Sequence, residues 1–467
     1  MSRYVFSLLF LFSSVFCQKN VKNDAKIQEL INNLPARTDY ALLIYNPDNS
    51  DTIFSKNISK PLIPASNVKI FTAAAAYHYL GPDYRIRTRI SCDNFDPADS
   101  VVHGNLYIRG GGNGLFSSSD LDSLVNEIIA NGINKIEGNI VGDDTFFDSL
   151  YSRKDWIVEE RSNLSLPPVS ALTLNRNEIF VTVESGKKDG EELKVTTDPK
   201  SSFIKITNSA KTTKFRAKPR ISGRISDNKF VLRVSGGMWI KSRARRYSVF
   251  IESPPLFAAM YVYDKLRKAG IKITGEPVKG ITPDSSENIA EHGLPMFQLI
   301  SRMNKKSDNF LAECLFKIIG AEFIGKKGNS FYSSQAINKM LADYDMSDST
   351  EIVDGSGISR NNHTTVSTIS GLLEYIYFKD DIFNDFYNSL AIAGADGTLE
   401  DRIQTSFAKH NFHGKTGTLN GVSSLSGYLT TEKGNNLIVS IIFNYKNGYA
   451  ALYKNTEDLI IEYLADF

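Results

Sequence analysis

"PASNVKIFTAAAAYHYL", residues 64–80, sets Ser66 three residues ahead of Lys69 at the entry to an alanine-rich run. Positions i and i+3 share one face of a helix, so a helix starting here puts the lysine amine beside the serine hydroxyl. Past Lys69 the run is small and apolar, the composition of a helix meant for burial. Just upstream, "YALLIYNPDNSDTIFSKN" (residues 40–57) reads as two strands joined by a turn at 46–50. A strand pair feeding a buried helix predicts an α+β layer, with the helix packed on an antiparallel sheet.

The far end of the chain carries matching pieces. "SSLSGYLTTEKGNNLIVSIIFN" (residues 423–444) reads as strand, turn and strand, and "YKNTEDLIIEYLADF" (residues 453–467) as a closing helix. The middle differs. "IFVTVESG", "FIKITNS", "KFVLRVSG" and "YSVFIES" alternate and are rich in β-branched and aromatic residues, as strands are. Helical texture returns at "PLFAAMYVYDKLRKAG" (residues 255–270) and over residues 296–323. The economical architecture is one α+β domain built from both ends of the chain and split by a β-rich insertion.

The chain has 467 residues, enough for two or three domains. Apolar residues make up 42% and charged residues 23%, an ordinary globular composition. A net charge of +2 argues for neither nucleic-acid nor general membrane-surface binding. The local basic run "KSRARRYS" (residues 241–248) reads as solvated surface. Residues 1–17 pair Arg3 with the apolar "YVFSLLFLFSSVF", too short to span a bilayer and suited to an export signal. Cleavage is expected near Cys17; acylation of Cys17 as a lipoprotein is the less favoured alternative, because Phe16 stands where such sites want a small residue. Cys92 and Cys314 are expected to be two unpaired, buried thiols. No HExxH and no paired-cysteine spacing occur, so no metal site is expected.

Ser66 needs a base, and Lys69 can serve only when neutral, which burial or a second cation would favour. The spacing alone decides nothing: Ser185/Lys188 and Ser406/Lys409 repeat it, but only Ser66 has a proline-led entry and a helix behind it. A second piece is "SDN", with Ser307 able to relay a proton and Asn309 able to hold an amide; Ser55/Asn57, Ser226/Asn228 and Ser286/Asn288 share its S-x-N spacing. A third is "HGKTGTLNG", where Lys415 supplies a cation for a carboxylate and Gly417 leaves room along a strand edge. Each piece has a bland reading as a cap, a helix junction or a turn. The glycine cluster at 110–114 lacks a phosphate-loop pattern and reads as a turn.

The ordered set S-x-x-K, S-x-N, K-T-G is that of penicillin-binding proteins and serine β-lactamases. About half the chain lies between Ser66 and Ser307, too much for a class A β-lactamase and enough for the insertion. With "DGSGISR", "GADGTL", "GNLYIRGGG" and "GNIVGDDTFF", the whole mature chain resembles the peptidase S13 family of D-alanyl-D-alanine carboxypeptidase/endopeptidases, the class C low-molecular-mass penicillin-binding proteins. "GNGLFSS" departs from the wording expected after the strand in the insert.

The resemblance implies a periplasmic, cofactor-free enzyme acting on peptidoglycan stem peptides and acylated by β-lactam antibiotics. It implies a transpeptidase-like domain from residues 18–85 and 286–467, a β-rich domain from 86–108 and 181–285, and a nested domain from 109–180. Ser66 would be the nucleophile, Lys69 its base, Ser307 a proton relay and Asn309 a substrate-amide ligand. Lys415 with Thr416 or Thr418 would orient the terminal carboxylate across Gly417. Arg360 and Asp143, with Asp144 close behind, would receive a diaminopimelate side chain in a pocket lined by Phe147. A serine β-lactamase and a non-catalytic wall-binding protein on the same fold are the competing readings. The intact Ser66/Lys69 pair speaks against the second of these. Peripheral membrane association and a homodimer stay open.

Overall fold

The computed structural model describes residues 24–153, 156, 166–347, 349–446 and 448–467. The signal segment of residues 1–17, with Cys17, lies outside the described residues. The chain divides into two compact units. The first takes the described residues up to His78, Asn304–Ser307 and Ser334–Phe467; the second takes Tyr79–Met303 and Asp308–Ser333.

A six-stranded antiparallel sheet organises the first unit. Its order is Ala391–Ile392, Phe412–Leu419, Val422–Thr430, Asn436–Asn444, Asp39–Tyr45 and Thr52–Lys56. The N-terminal hairpin joins the C-terminal meander in full register, Asp39 opposite Asn444 and Tyr45 opposite Ile438. Side chains alternate along each strand, so one face collects Leu42, Ile44, Leu425, Val439, Ile441 and Phe443. Helices Ala25–Asn32 and Ala450–Leu464 cover that face through Ile27, Ile31, Ile460 and Leu464, all buried. Each large aliphatic side chain so buried contributes roughly 1.5–3 kcal/mol. Asp24 caps the first helix by accepting from Lys26 N at 2.8 Å.

The opposite face is lined with small hydroxyl residues, Ser424, Ser426 and Ser440, all buried. They let helices approach closely and give them polar partners. Ser370 of helix Val366–Tyr377 bonds Ser440 Oγ at 2.9 Å, and Asn67 Nδ2 donates to Ser426 Oγ at 3.0 Å. Helix Val68–Leu80 is buried through Tyr77, as its alanines predict.

The second unit is β-rich. A five-stranded sheet runs Pro277–Lys279, Ile140–Asp143, Leu106–Gly110, Arg85–Cys92, Glu287–Pro295. Smaller sheets include Lys194–Asp198, Glu178–Glu184, Arg245–Phe250 and a group around Lys229–Trp239. One core joins them through Ile90, Ile108, Phe203, Phe230 and Phe257. Helix Ser118–Ala130 packs its apolar stripe there and carries a reciprocal capping box between Ser117 and Asp120. Cys92 and Cys314 are free and buried. Among the described residues no helix is long and apolar enough to cross a membrane.

Candidate active site

Ser66 sits in the single turn Ala65–Asn67 that opens into helix Val68–Leu80. Ala65 takes φ 48, a left-handed conformation unusual for a residue with a Cβ. Two glycines make that turn possible. A Cβ on Gly357 would collide with Ala65 O and stand 3.1 Å from Ser66 N. A Cβ on Gly417 would collide with Ser424 Oγ and stand 2.7 Å from Pro64 O and 3.1 Å from Ser66 N. Strand Phe412–Leu419 therefore runs directly past the Ser66 amide, and Ser424, opposite Gly417 on the adjacent strand Val422–Thr430, ties the same turn down by donating from Oγ to Pro64 O at 2.7 Å.

Lys69 is fully buried, with Nζ 2.9 Å from Ser66 Oγ and 2.6 Å from Ser356 O. Ser66 Oγ also reaches Ser356 O, at 3.4 Å. The predicted i,i+3 pairing is thus present, and its third member is a carbonyl that sequence reasoning missed. Ser356 lies in the "DGSGISR" loop, whose shape is set by Asp354. That buried carboxylate accepts from Gly357 N, Ser359 N and Asn362 Nδ2, each at 2.8 Å. The signal in the sequence was an aspartate followed by two glycines, the composition of a tight loop with φ above zero.

Lys415 is equally buried, and donates to Ser307 Oγ at 3.0 Å and Thr416 O at 2.7 Å. Burial pushes its pKa well below the usual lysine value, and the nearby Lys69 pushes it further in the same direction. Two ammonium groups in one dry site repel, so Lys69 disfavours the charged form of Lys415. Thr416 Oγ1 donates to Thr398 Oγ1 at 2.8 Å, which ties the "GADGTL" loop to the strand. Thr418 is exposed one pleat further on. Ser307 takes φ 52 at the end of the loop after helix Met296–Lys305. Arg360 is exposed and donates to Asn420 O at 2.6 Å.

Ser66, Lys69, Ser307, Lys415, Thr416, Gly417, Thr418 and Arg360 all belong to the first unit. Asn309, Asp143 and Phe147 belong to the second. Asn309 opens helix Asn309–Ile324, whose cap Asp308 is gripped by both Arg176 guanidinium nitrogens at 2.8 and 3.1 Å. Asp143 is fully buried and occupied within its own fold. It accepts from Thr145 N at 2.9 Å, Thr145 Oγ1 at 2.6 Å and Thr282 N at 2.7 Å. Asp144 keeps partial exposure while accepting from Tyr151 and Ser170, each at 2.8 Å. Of the two aspartates, Asp144 is the one a ligand could meet. Phe147 is buried, stacked on Phe146 with centroids 5.6 Å apart.

The model of the D-Ala-D-Ala carboxypeptidase 3 (S13) family matches residues 23–465. The chain belongs to this family. It is 27% identical over 452 residues to D-alanyl-D-alanine carboxypeptidase DacB of Haemophilus influenzae, spanning 94% of this chain and 92% of that protein. It is 28% identical over 443 residues to the D-alanyl-D-alanine carboxypeptidase of Actinomadura sp. strain R39, spanning 91% of this chain and 81% of that protein. The crystal structure of penicillin binding protein 4 (dacB) from H. influenzae aligns with TM-score 0.80 at 24% identity over 95% of this chain and 100% of that one. The same protein complexed with a novel β-lactam aligns with TM-score 0.76 at 23% identity. The S13 carboxypeptidase fold expected from the three motifs is therefore the fold of this chain.

Proposed function

We propose that the protein is a serine D-Ala-D-Ala carboxypeptidase of peptidoglycan stem peptides, working through an acyl-enzyme on Ser66. The observation that carries this reading is the buried Lys69 amine 2.9 Å from Ser66 Oγ. Lys69 in its neutral form takes the Ser66 proton as Oγ attacks the carbonyl of the penultimate D-alanine. The oxyanion forms against the backbone N–H groups of Ser66 and Thr418. The departing D-alanine amine receives a proton through Ser307, which is bonded to Lys415. Water then hydrolyses the ester. Lys415 with Thr416 or Thr418 orients the substrate carboxylate, and Asn309 binds a substrate amide.

A β-lactam follows the first step, but its leaving group stays tethered, so the ester persists. Cleavage of D-alanyl-diaminopimelate cross-links is the same chemistry with a larger leaving group. For that leaving group the family resemblance supports Arg360 as the carboxylate ligand, and Asp143 or the more accessible Asp144, with Phe147, as the residues that receive the rest of the diaminopimelate side chain. The enzyme works in the periplasm after export, and the three-part division given by the resemblance is its domain plan.

The test is incubation of purified protein with a fluorescent penicillin, alongside D-alanine release from a D-Ala-D-Ala peptide. Slow loss of adduct with D-alanine release supports the carboxypeptidase. Rapid turnover of the penicillin indicates a β-lactamase, and no adduct a binding protein. A Ser66→Ala variant that still forms adduct removes Ser66 as nucleophile.

A further inference from the structure

The second unit contains a cleft of about 620 Å³ whose lining is cationic. Arg216, Lys218, Arg243 and Arg245 surround it, together with Trp239 and Ser242, and among the described residues no acidic one lines it. Strand Lys211–Thr213 pairs in parallel with the end of strand Lys229–Trp239, Thr213 opposite Trp239. Parallel pairing sends both chains out at the same end. The two exit segments, "KFRAKPR" and "KSRARR", are the most basic runs of a chain whose net charge is only +2.

The neighbouring acids are already engaged. Asp189 pairs with Lys214 at 3.7 Å, and Asp198 with Arg246 at 3.4 Å. Arg246 also lies 3.7 Å over the Phe180 ring. Arg216, Lys218, Arg243 and Arg245 have no ion-pair partner among the described residues. Four like charges facing one concavity raise the local potential and favour an anionic occupant. Guanidinium groups match carboxylates bidentately. Trp239, half-buried with the Arg216 guanidinium 5.8 Å from its ring, adds a flat apolar surface beside them.

We propose that this cleft is a second substrate-holding site, for a carboxylate-bearing glycopeptide segment of the peptidoglycan polymer. Its cations take the stem-peptide carboxylates and Trp239 takes the face of a sugar ring. None of its residues belongs to the acyl-transfer site, so it acts by retaining polymer near the enzyme and not on the reacting bond. The proposal rests on the carboxypeptidase reading, because that reading supplies a polymer with several carboxylates per repeat.

The test uses the full chain with Ser66→Ala to stop turnover, pelleted with purified peptidoglycan sacculi. The Arg243→Glu/Arg245→Glu variant, altered at two exposed positions, is expected to bind roughly 10-fold more weakly, and wild-type binding to weaken with salt. A soluble disaccharide-peptide is expected to change the Trp239 emission, read in a Trp156→Phe background. With Ser66 restored, the variant releases D-alanine from a small peptide at the unaltered rate and from sacculi more slowly. Unchanged pelleting of the variant, or no pelleting of the parent, overturns the proposal. So does polyphosphate competing as well as the glycopeptide at equal charge, since the cleft would then be a general polyanion surface. Failure of the wild-type chain to release D-alanine from a small peptide counts against the carboxypeptidase reading alone, because pelleting is read separately.

Discussion

Replacing Gly417 by alanine tests whether the K-T-G strand is pressed against the Ser66 turn. The added Cβ meets Ser424 Oγ at an impossible separation, and Pro64 O at 2.7 Å. The serine hydroxyl can rotate away, at the loss of its bond to Pro64 O. The Pro64 carbonyl and the Ser66 amide are backbone and can only move. Carbon contacts are comfortable near 3.5 Å, so the strand and turn must separate by about 0.8 Å. Overpacking of this kind costs about 1–3 kcal/mol of stability. For a protein of this size the melting temperature falls by a few degrees. The larger effect is on rate. A shift near 1 Å between Ser66 and the groups on the strand lowers acylation about 100-fold. The assay is the second-order rate of adduct formation with a fluorescent penicillin, with thermal melts in parallel. Gly371→Ala is the control: it lies in helix Val366–Tyr377, and its new methyl would be 3.4 Å from Met346 Sδ, an ordinary contact. That variant gains roughly 1 kcal/mol from helix propensity and acylates normally. Acylation of Gly417→Ala within twofold of wild type, with unchanged melting, refutes the close approach.

Lys415→Met removes an amine whose pKa burial holds well below its unfolded value near 10.5. The unfolded chain binds more protons than the folded one between those two values, so this group makes wild-type stability rise as pH rises through that window. The Met variant loses that slope in melts from pH 7 to 10, gains stability of order 1 kcal/mol at pH 7, and acylates slowly. Lys69→Met lowers acylation by roughly 1000-fold or more while leaving a cooperative melt, as adduct formation and calorimetry will show. Asp354→Ala strands three buried donors, and is expected to cost about 3–5 kcal/mol and to slow acylation through the loosened Ser356 carbonyl, measured by denaturant unfolding and by the same penicillin assay.

The architecture was legible where pattern is local. The strand, turn and strand of 423–444 and the helix within 255–270 follow from local pattern. Ser66 was singled out from the other S-x-x-K spacings by what surrounds it and not by the spacing itself. The rest of the site depends on approach between distant segments, which no window of sequence contains. Ser356 O reaches Lys69 across 287 residues, and Ser424 reaches Pro64 across 360. Asp143 illustrates the same limit from the other side. Next to Asp144 in sequence it looks equivalent, yet strand alternation turns it inward to Thr145 and Thr282. The basic run at 241–248 reads as surface, and its residues 243–246 are exposed; its approach to 214–220 is set by strands pairing with Lys229–Trp239, which no window of sequence contains.

The pairing of Asp39–Tyr45 with Asn436–Asn444 also sets an order of assembly. On a ribosome the early hairpin emerges hundreds of residues before the strand that must flank it, while the intervening unit has nearly all its own contacts at hand. High contact order of this kind slows closure of the sheet and leaves an unpaired edge on the nascent chain meanwhile. A chain truncated before Asn436 would keep that edge open for good, inviting strand exchange with another copy.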